Sequence, residues 1–425
     1  MPGVTTRDPH LGLYNLTRPE TIANPAPFYE ALLDQAPVYF DPDYETWMLS
    51  RYRDVQHLLA HPDATVAMDH ASSLTRFGGL GLEEAFALLD HHVSFVDGAD
   101  HRRLRRVLSE PLQVRRVRTE LADPIRQAVD DTLHALGREA VIDVDVVSAI
   151  AASVPGRVTK YLLDLDVDLA TVQRWSNAWG DVVAAPGHVP TTNRKQVLAV
   201  IAELTTYLKA LVARYEEQAT LPDTMVGRLV QAMRDDTDRR ITRDEAIGNL
   251  MMLITAGTET TANLISNAVG VLADNPDLWT LIKRQPDLIP TVLEEIARLH
   301  PPTQFTARRI KTPIELPSGG VLPAGASVVL MLGAANRDAE VFPEPDVVRL
   351  DRAGTPLLTF GHGAHFCFGA PLARREAQAT IEALAARFGQ LTPLPGRAWR
   401  QNSNLRGLAA LPVRFATATA EEGIQ

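Results

Sequence analysis

Cysteine is almost missing from this chain of 425 residues; the single one is Cys367. One thiol closes no internal disulfide, and cysteines alone cannot then build a zinc or iron–sulfur site. An excess of positive charge is missing as well. Against 52 Asp and Glu stand 42 Lys and Arg, for a formal charge of −10, which argues against nucleic acid as a partner. No apolar run reaches the roughly eighteen residues of a membrane span, and Met1-Pro-Gly-Val-Thr-Thr-Arg-Asp-Pro-His10 has no signal-like core. With one cysteine and no export signal, a reducing cytoplasm and no membrane are expected. Neither a repeat nor a Ser/Gly-rich linker divides the chain. One domain over 1–425 is therefore expected, with an N-terminal arm over 1–23 and a frayed tail over 416–425.

What is present is 45% hydrophobic and 22% charged, the composition of a chain with a large core. Helical periodicity dominates, near 26–36, 100–115, 118–137, 166–186, 191–217, 224–235, 243–274, 277–284, 290–299 and 370–388. Strand-like stretches are short: 37–40, 46–49, 314–316, 327–332 and 413–415. The expected fold class is mainly α with a smaller β-rich region. Segments 66–95 and 183–196 fit neither pattern and read as substrate-covering loops or as ordinary surface excursions.

Cys367 sits in Phe360-Gly-His-Gly-Ala-His-Phe-Cys-Phe-Gly369. The following Ala370-Pro371-Leu-Ala-Arg-Arg-Glu reads as a helix start, with Pro371 in the first turn where its missing N–H does no harm. A thiol just before a helix N-terminus meets free N–H groups and the positive dipole end, which favour the anion. Gly363 and Gly369 leave room for a tight turn or a flat ligand. Three plainer readings compete. The cysteine could be an inert buried hydrophobe. His362, His365 and Cys367 could imitate a zinc cluster, though no fourth ligand is evident. The glycines fail as a dinucleotide loop because Phe366 stands where the third glycine is required. With Phe360, Gly363, His365, Cys367 and Gly369 all in place, the segment resembles the haem-binding loop of the cytochrome P-450 family.

A second motif lies on the long helix. Thr242-Arg-Asp-Glu245 forms a capping box, apolar positions run on to Leu272, and Asn275-Pro276 stops them. At 1.5 Å per residue this helix spans roughly 45–50 Å. Ala256-Gly-Thr-Glu-Thr-Thr261 interrupts it with polarity. These residues could face solvent, as one face of a helix usually does. Alternatively, Ala256-Gly257 admits a flat body, a Thr hydroxyl bonds back and locally opens the helix, and the carboxylate relays protons. Ala256, Gly257, Glu259 and Thr260 are similar to the family's oxygen-activating motif. The resemblance implies that Thr260 hydrogen-bonds dioxygen and Glu259 supplies the protons.

The rest follows from the same resemblance. It implies a cytochrome P-450 fold, with haem between a long distal central helix and a proximal Cys-loop helix. Cys367 would ligate the iron of one haem b (iron protoporphyrin IX) per chain. His101 and Arg105, four apart on one helix face, would hold the haem propionates together with Arg309 and His365. Glu295, Arg298 and Arg352 would form a structural triad. A basic strip from Arg102 to Arg118 is either a solvated face or a docking face for an acidic electron donor. The implied activity is that of a haem-thiolate monooxygenase, an oxidoreductase inserting one oxygen atom of dioxygen into a small to medium apolar or aromatic substrate. The stretch after Cys367 is too short for a flavin or iron–sulfur domain, so an external ferredoxin and its NAD(P)H-dependent reductase are expected, with the enzyme a monomer. Alternatives are another oxidative reaction on the same scaffold, or a non-catalytic haem sensor or carrier. By family position, Phe77, Phe95, Phe305 and Leu408 line the substrate pocket, while Arg406 either meets a carboxylate or pairs elsewhere.

Overall fold

A helix of 32 residues, Arg243–Asp274, runs through the middle of the molecule. Both halves of its capping box form: the Thr242 hydroxyl accepts from the Glu245 N–H at 3.2 Å, and the Glu245 carboxylate accepts from the Thr242 N–H at 2.7 Å. Arg103 then forks onto the same carboxylate and ties this end to the helix Gly98–Ser109. The computed structural model describes residues 10–66, 87–88, 90–184, 194–235, 237, 240–352 and 354–417.

Helices Ser153–Leu163, Leu169–Ala184, Arg194–Glu216 and Ala370–Arg387 pack against the central one. Trp175, Trp179, Leu204, Leu250, Ile254 and Ile265 fill the space between them. Lys195–Glu216 is long and apolar enough to cross a bilayer, although charged and polar residues interrupt its apolar run. Its Leu204, Leu208, Leu211 and Val212 are instead buried in the core of this fold.

Among the described residues the helices Pro19–Ala23, Tyr52–Ala60, Ser153–Leu163 and Leu332–Ala335 escape the periodicity. Pro155-Gly156 suggests a break, yet Pro155 occupies the first turn, where no N–H is needed. The stretch 100–115 proves to be one helix to Ser109, a tight turn at Glu110–Leu112, and a separate helix Val114–Thr119. Pro111 imposes that division.

The β region is also built from short pieces. One sheet orders Val38–Asp41, Thr46–Leu49, Ser327–Leu330, Thr306–Ile310 and Ala64–Thr65, with the second and third strands parallel. Another places Pro412–Ala416 between Val141–Asp145 and Gln390–Pro393. Ala416 thus belongs to a strand and Thr417 bonds to Ala140, so the expected tail starts too early; residues 418–425 lie outside the described residues. Likewise the expected arm is docked from Leu11 onward, where Leu11, Leu16 and Ile22 are buried.

Candidate active site

The Cys367 loop is shaped by left-handed glycines. Gly361 and Gly363 have φ of +74° and +72°. A Cβ on Gly363 would stand 2.8 Å from Ala60 Cα and from Leu59 O, so only glycine fits there. The Cys367 N–H donates to Phe360 O at 2.9 Å, and the helix Ala370–Arg387 starts three residues on. Cys367 lines a cavity of about 370 Å³. Cys367 is open to this cavity, yet the protein packed around it withdraws bulk water and raises its thiol pKa, while the Gly369 and Ala370 N–H groups and the Arg105 and Arg374 charges pull it back. The helix-terminus stabilisation expected from sequence is therefore present but outweighed in the free thiol. A bound metal ion would reverse that balance, because a coordinating thiol is deprotonated outright.

Across the cavity, the central helix presents Ala256, Gly257, Thr260 and Thr261. The Thr260 hydroxyl donates to Ala256 O at 2.6 Å, yet the helix runs through this point without a break. The expected local opening is absent. Glu259 does not line the cavity. It is buried outside the cavity lining, 2.7 Å from Arg400 Nη1, and a Cβ on Gly180 would collide with its carboxylate. The reason is geometric: at about 100° per residue, Met252, Leu253, Ala256, Gly257, Thr260, Thr261 and Leu264 form the stripe that faces the cavity, and position 259 falls outside it.

At one rim His101, Arg105, Arg308 and His365 converge. The two imidazoles stack with centroids 4.0 Å apart, and His365 Nε2 lies 3.0 Å from Asp97 Oδ1. Burial, then the neighbouring His365 and Arg105, push the His101 pKa down to about 4. Arg105 donates to Phe366 O at 2.7 Å, and its pKa is lowered by burial and raised by Cys367. The fourth rim group differs from the sequence expectation. Thr306–Ile310 is a strand whose alternate residues are buried, which puts Arg308 at the cavity and leaves Arg309 exposed on the other face. Burial lowers the Arg308 pKa to about 10 against the pull of Asp97.

Of the aromatic and aliphatic pocket residues expected, Phe77 lies outside the described residues. Phe95 packs on His92, Phe305 on the core beside Tyr29 and Met331, and Leu408 on Gly270; none of the three lines the cavity. Its apolar wall comes from Val66, Val93, Leu162, Met252 and Leu253. Arg406 is a tether: it donates to Ile22 O and Ala23 O and lies over the Trp399 ring. Glu295 does clamp Arg298 and Arg352, at 2.8 and 3.1 Å, and also accepts the Arg349 N–H. In the basic strip, Arg103 is spent on Glu245, and Arg116 on Glu120 and Asp223.

These residues fit a haem. A single thiol shares the cavity with Ala256 and Gly257, and four nitrogen-bearing side chains at one rim suit a dianionic edge. Among the described residues no group of three or more His, Cys, Asp or Glu could hold a metal by itself, so an iron here requires a ligand of its own besides Cys367.

The sequence pattern of cytochrome P450 matches residues 285–415, which include the triad and the cysteine loop. The vitamin D(3) 25-hydroxylase of Pseudonocardia autotrophica is 31% identical over 93% of this chain and 95% of its own. The cytochrome P450 monooxygenase PikC of Streptomyces venezuelae is 32% identical over 97% and 96%. The crystal structure of CalO2 superposes with a TM-score of 0.84 at 29% identity, over 97% of this chain and 99% of that one. A sulfur and an oxygen-motif helix facing each other across one cavity, within a chain that aligns end to end with such enzymes, make this protein a member of the cytochrome P450 monooxygenase family.

Proposed function

We propose that this enzyme inserts one oxygen atom from dioxygen into a small to medium apolar or aromatic molecule, using one haem b held by Cys367 and electrons from a separate ferredoxin and reductase. The observation that carries this is the shared cavity of Cys367 and Thr260. The haem would supply oxygen activation, its thiolate ligand favouring O–O cleavage. Everything else falls to the chain. Arg105 and Arg308 would pair with the two carboxylates of the cofactor, and His101 and His365 would offer them ring N–H donors. Val66, Val93, Leu162, Met252 and Leu253 exclude water and receive the apolar guest. The Thr260 hydroxyl, now bonded to Ala256 O, would turn about χ1 to offer its proton to the cavity. Glu259 is the nearest acid in sequence, and its delivery of protons would require it to leave Arg400. Arg102, Arg115 and Arg118 remain candidates for docking an acidic electron donor.

The test is optical. Reduced protein under carbon monoxide should give the far red-shifted Soret band of thiolate ligation, and Cys367→His should lose it; a histidine-type band in the unaltered enzyme would reject the reading. In turnover, Thr260→Ala should keep consuming electrons while product per electron falls about tenfold or more. Unchanged coupling removes Thr260 from the mechanism.

A further inference from the structure

The chamber contains one titratable group that the mechanism above does not use. His92 is buried, lines the same cavity as Cys367 and Thr260, and belongs to the short connection leading into the helix Gly98–Ser109. Its position is held by a dedicated support. Asn249 of the central helix donates to His91 O at 2.9 Å and accepts from the Val93 N–H at 3.0 Å, so the peptide groups on either side of His92 are pinned by one side chain. Asn249 is itself fully buried and fixed by a 2.7 Å bond to Glu245 O. At Gly248 a Cβ would come within 2.4 Å of Leu88 O, so the connection lies directly on the central helix there.

The ring is fixed as well. Its Nδ1 accepts the Ser94 N–H at 3.1 Å, and its face packs against Phe95 with centroids 5.7 Å apart. Burial pushes its pKa down to about 3, so the imidazole is neutral. A neutral ring whose Nδ1 accepts carries its proton on Nε2. That N–H has no partner among the described residues, and it is not sealed against the protein either. It belongs to a rigid ring that lines a chamber whose wall is largely apolar.

We propose that His92 Nε2–H is a specificity-determining hydrogen-bond donor that selects substrates carrying a neutral acceptor oxygen, such as a ketone, ester or ether. A pinned donor costs a guest little ordering entropy to engage, whereas a pure hydrocarbon leaves it dry and unpaired. The same site discriminates against amines, which would place an N–H or a charge against it. This assignment rests on the haem-site reading of the cavity, and Asn249 acts in it as a positioning residue.

Three matched pairs test it on the haem-loaded enzyme: camphor and bornane, 4-phenylcyclohexanone and phenylcyclohexane, and 5α-androstane-3,17-dione and 5α-androstane. Affinity is read by the Soret shift and independently by calorimetry, and the carbon monoxide spectrum of each variant is recorded first. The oxygenated member of at least one pair should bind about tenfold or more tightly than its hydrocarbon. His92→Phe, which keeps a ring without a donor, should erase that preference, and His92→Gln should restore part of it. In ¹⁵N spectra the His92 Nε2–H should shift on ketone binding and stay protonated from pH 6 to 8. No preference in any pair, the same preference in His92→Phe, or a His92→Phe variant that only loses haem would each overturn the proposal. A normal carbon monoxide spectrum alongside any of these would leave the haem-thiolate reading standing.

Discussion

Arg308 and Arg309 differ by one position and by almost 180° in direction, because successive residues of a strand alternate sides. Their chemistry is identical, so the direction alone decides which of them can meet an anionic rim group. Arg308 already bonds the Thr306 hydroxyl at 3.2 Å and Ala307 O at 2.7 Å, which leaves its guanidinium positioned at the cavity. Arg308→Ala should weaken retention of the haem about tenfold to a hundredfold, the value of a charge-assisted hydrogen bond, while Arg309→Ala should leave it unchanged. The Soret-to-protein absorbance ratio during transfer to apomyoglobin measures both. Equal losses in the two variants would reject the assignment. On the central helix the boundary of the cavity-facing stripe plays the same part, with Thr260 inside it and Glu259 just beyond.

Elements bring together residues that their own patterns do not connect. The central helix was legible to the residue because its capping box, its apolar run and Asn275-Pro276 are all local signals. The hairpin that reaches it was not. Ala398–Trp399 and Leu408–Ala410 are two and three residues long, with a register shift between Ala398 and Trp399, and so carry no periodicity. Yet this hairpin positions Arg400, which meets the buried Glu259 outside the cavity lining. Arg400→Leu should destabilise the fold by about 3 kcal/mol, since it strands a buried carboxylate. Adding Glu259→Gln should recover most of that loss, and the two changes should be strongly non-additive in a denaturation cycle. If Arg400→Leu alone is neutral, the ion pair does not hold Glu259 in place.

Taken as a whole molecule, the interior holds groups that titrate against each other. Burial is the leading cause that lowers the pKa of His92 to about 3, of His101 to about 4 and of His300 to about 3. Unfolded, each accepts a proton near pH 6.5, so below that pH the unfolded state binds more protons and stability falls as pH drops towards 4. Each deeply buried ring contributes a slope of up to about 1.4 kcal/mol per pH unit. Glu376 has the opposite sign. It is buried on the helix after Cys367, its Oε2 has no partner among the described residues, and burial raises its pKa well above 4.5. Its native form is therefore protonated, and its contribution is lost as pH rises above about 4.5. Glu376→Gln should be more stable than the unaltered enzyme at pH 8, with the gap closing towards pH 4.5 in urea titrations. A gap that stays constant with pH would show that Glu376 does not titrate in this way.

The sequence by itself determined what local chemistry can encode. A single thiol, a glycine-bracketed loop, a helix start after it, a capped central helix and an acid–threonine pair were all readable, because each depends on residues within a few positions of one another. Only the tertiary structure decided which way those side chains point and what they meet. It turned Glu259 towards Arg400, chose Arg308 over Arg309, buried Arg406 as a tether, and placed His92 in the chamber under the hold of Asn249, 157 positions further along. Each of those outcomes depends on contacts between segments far apart in the chain, which periodicity and propensity do not carry.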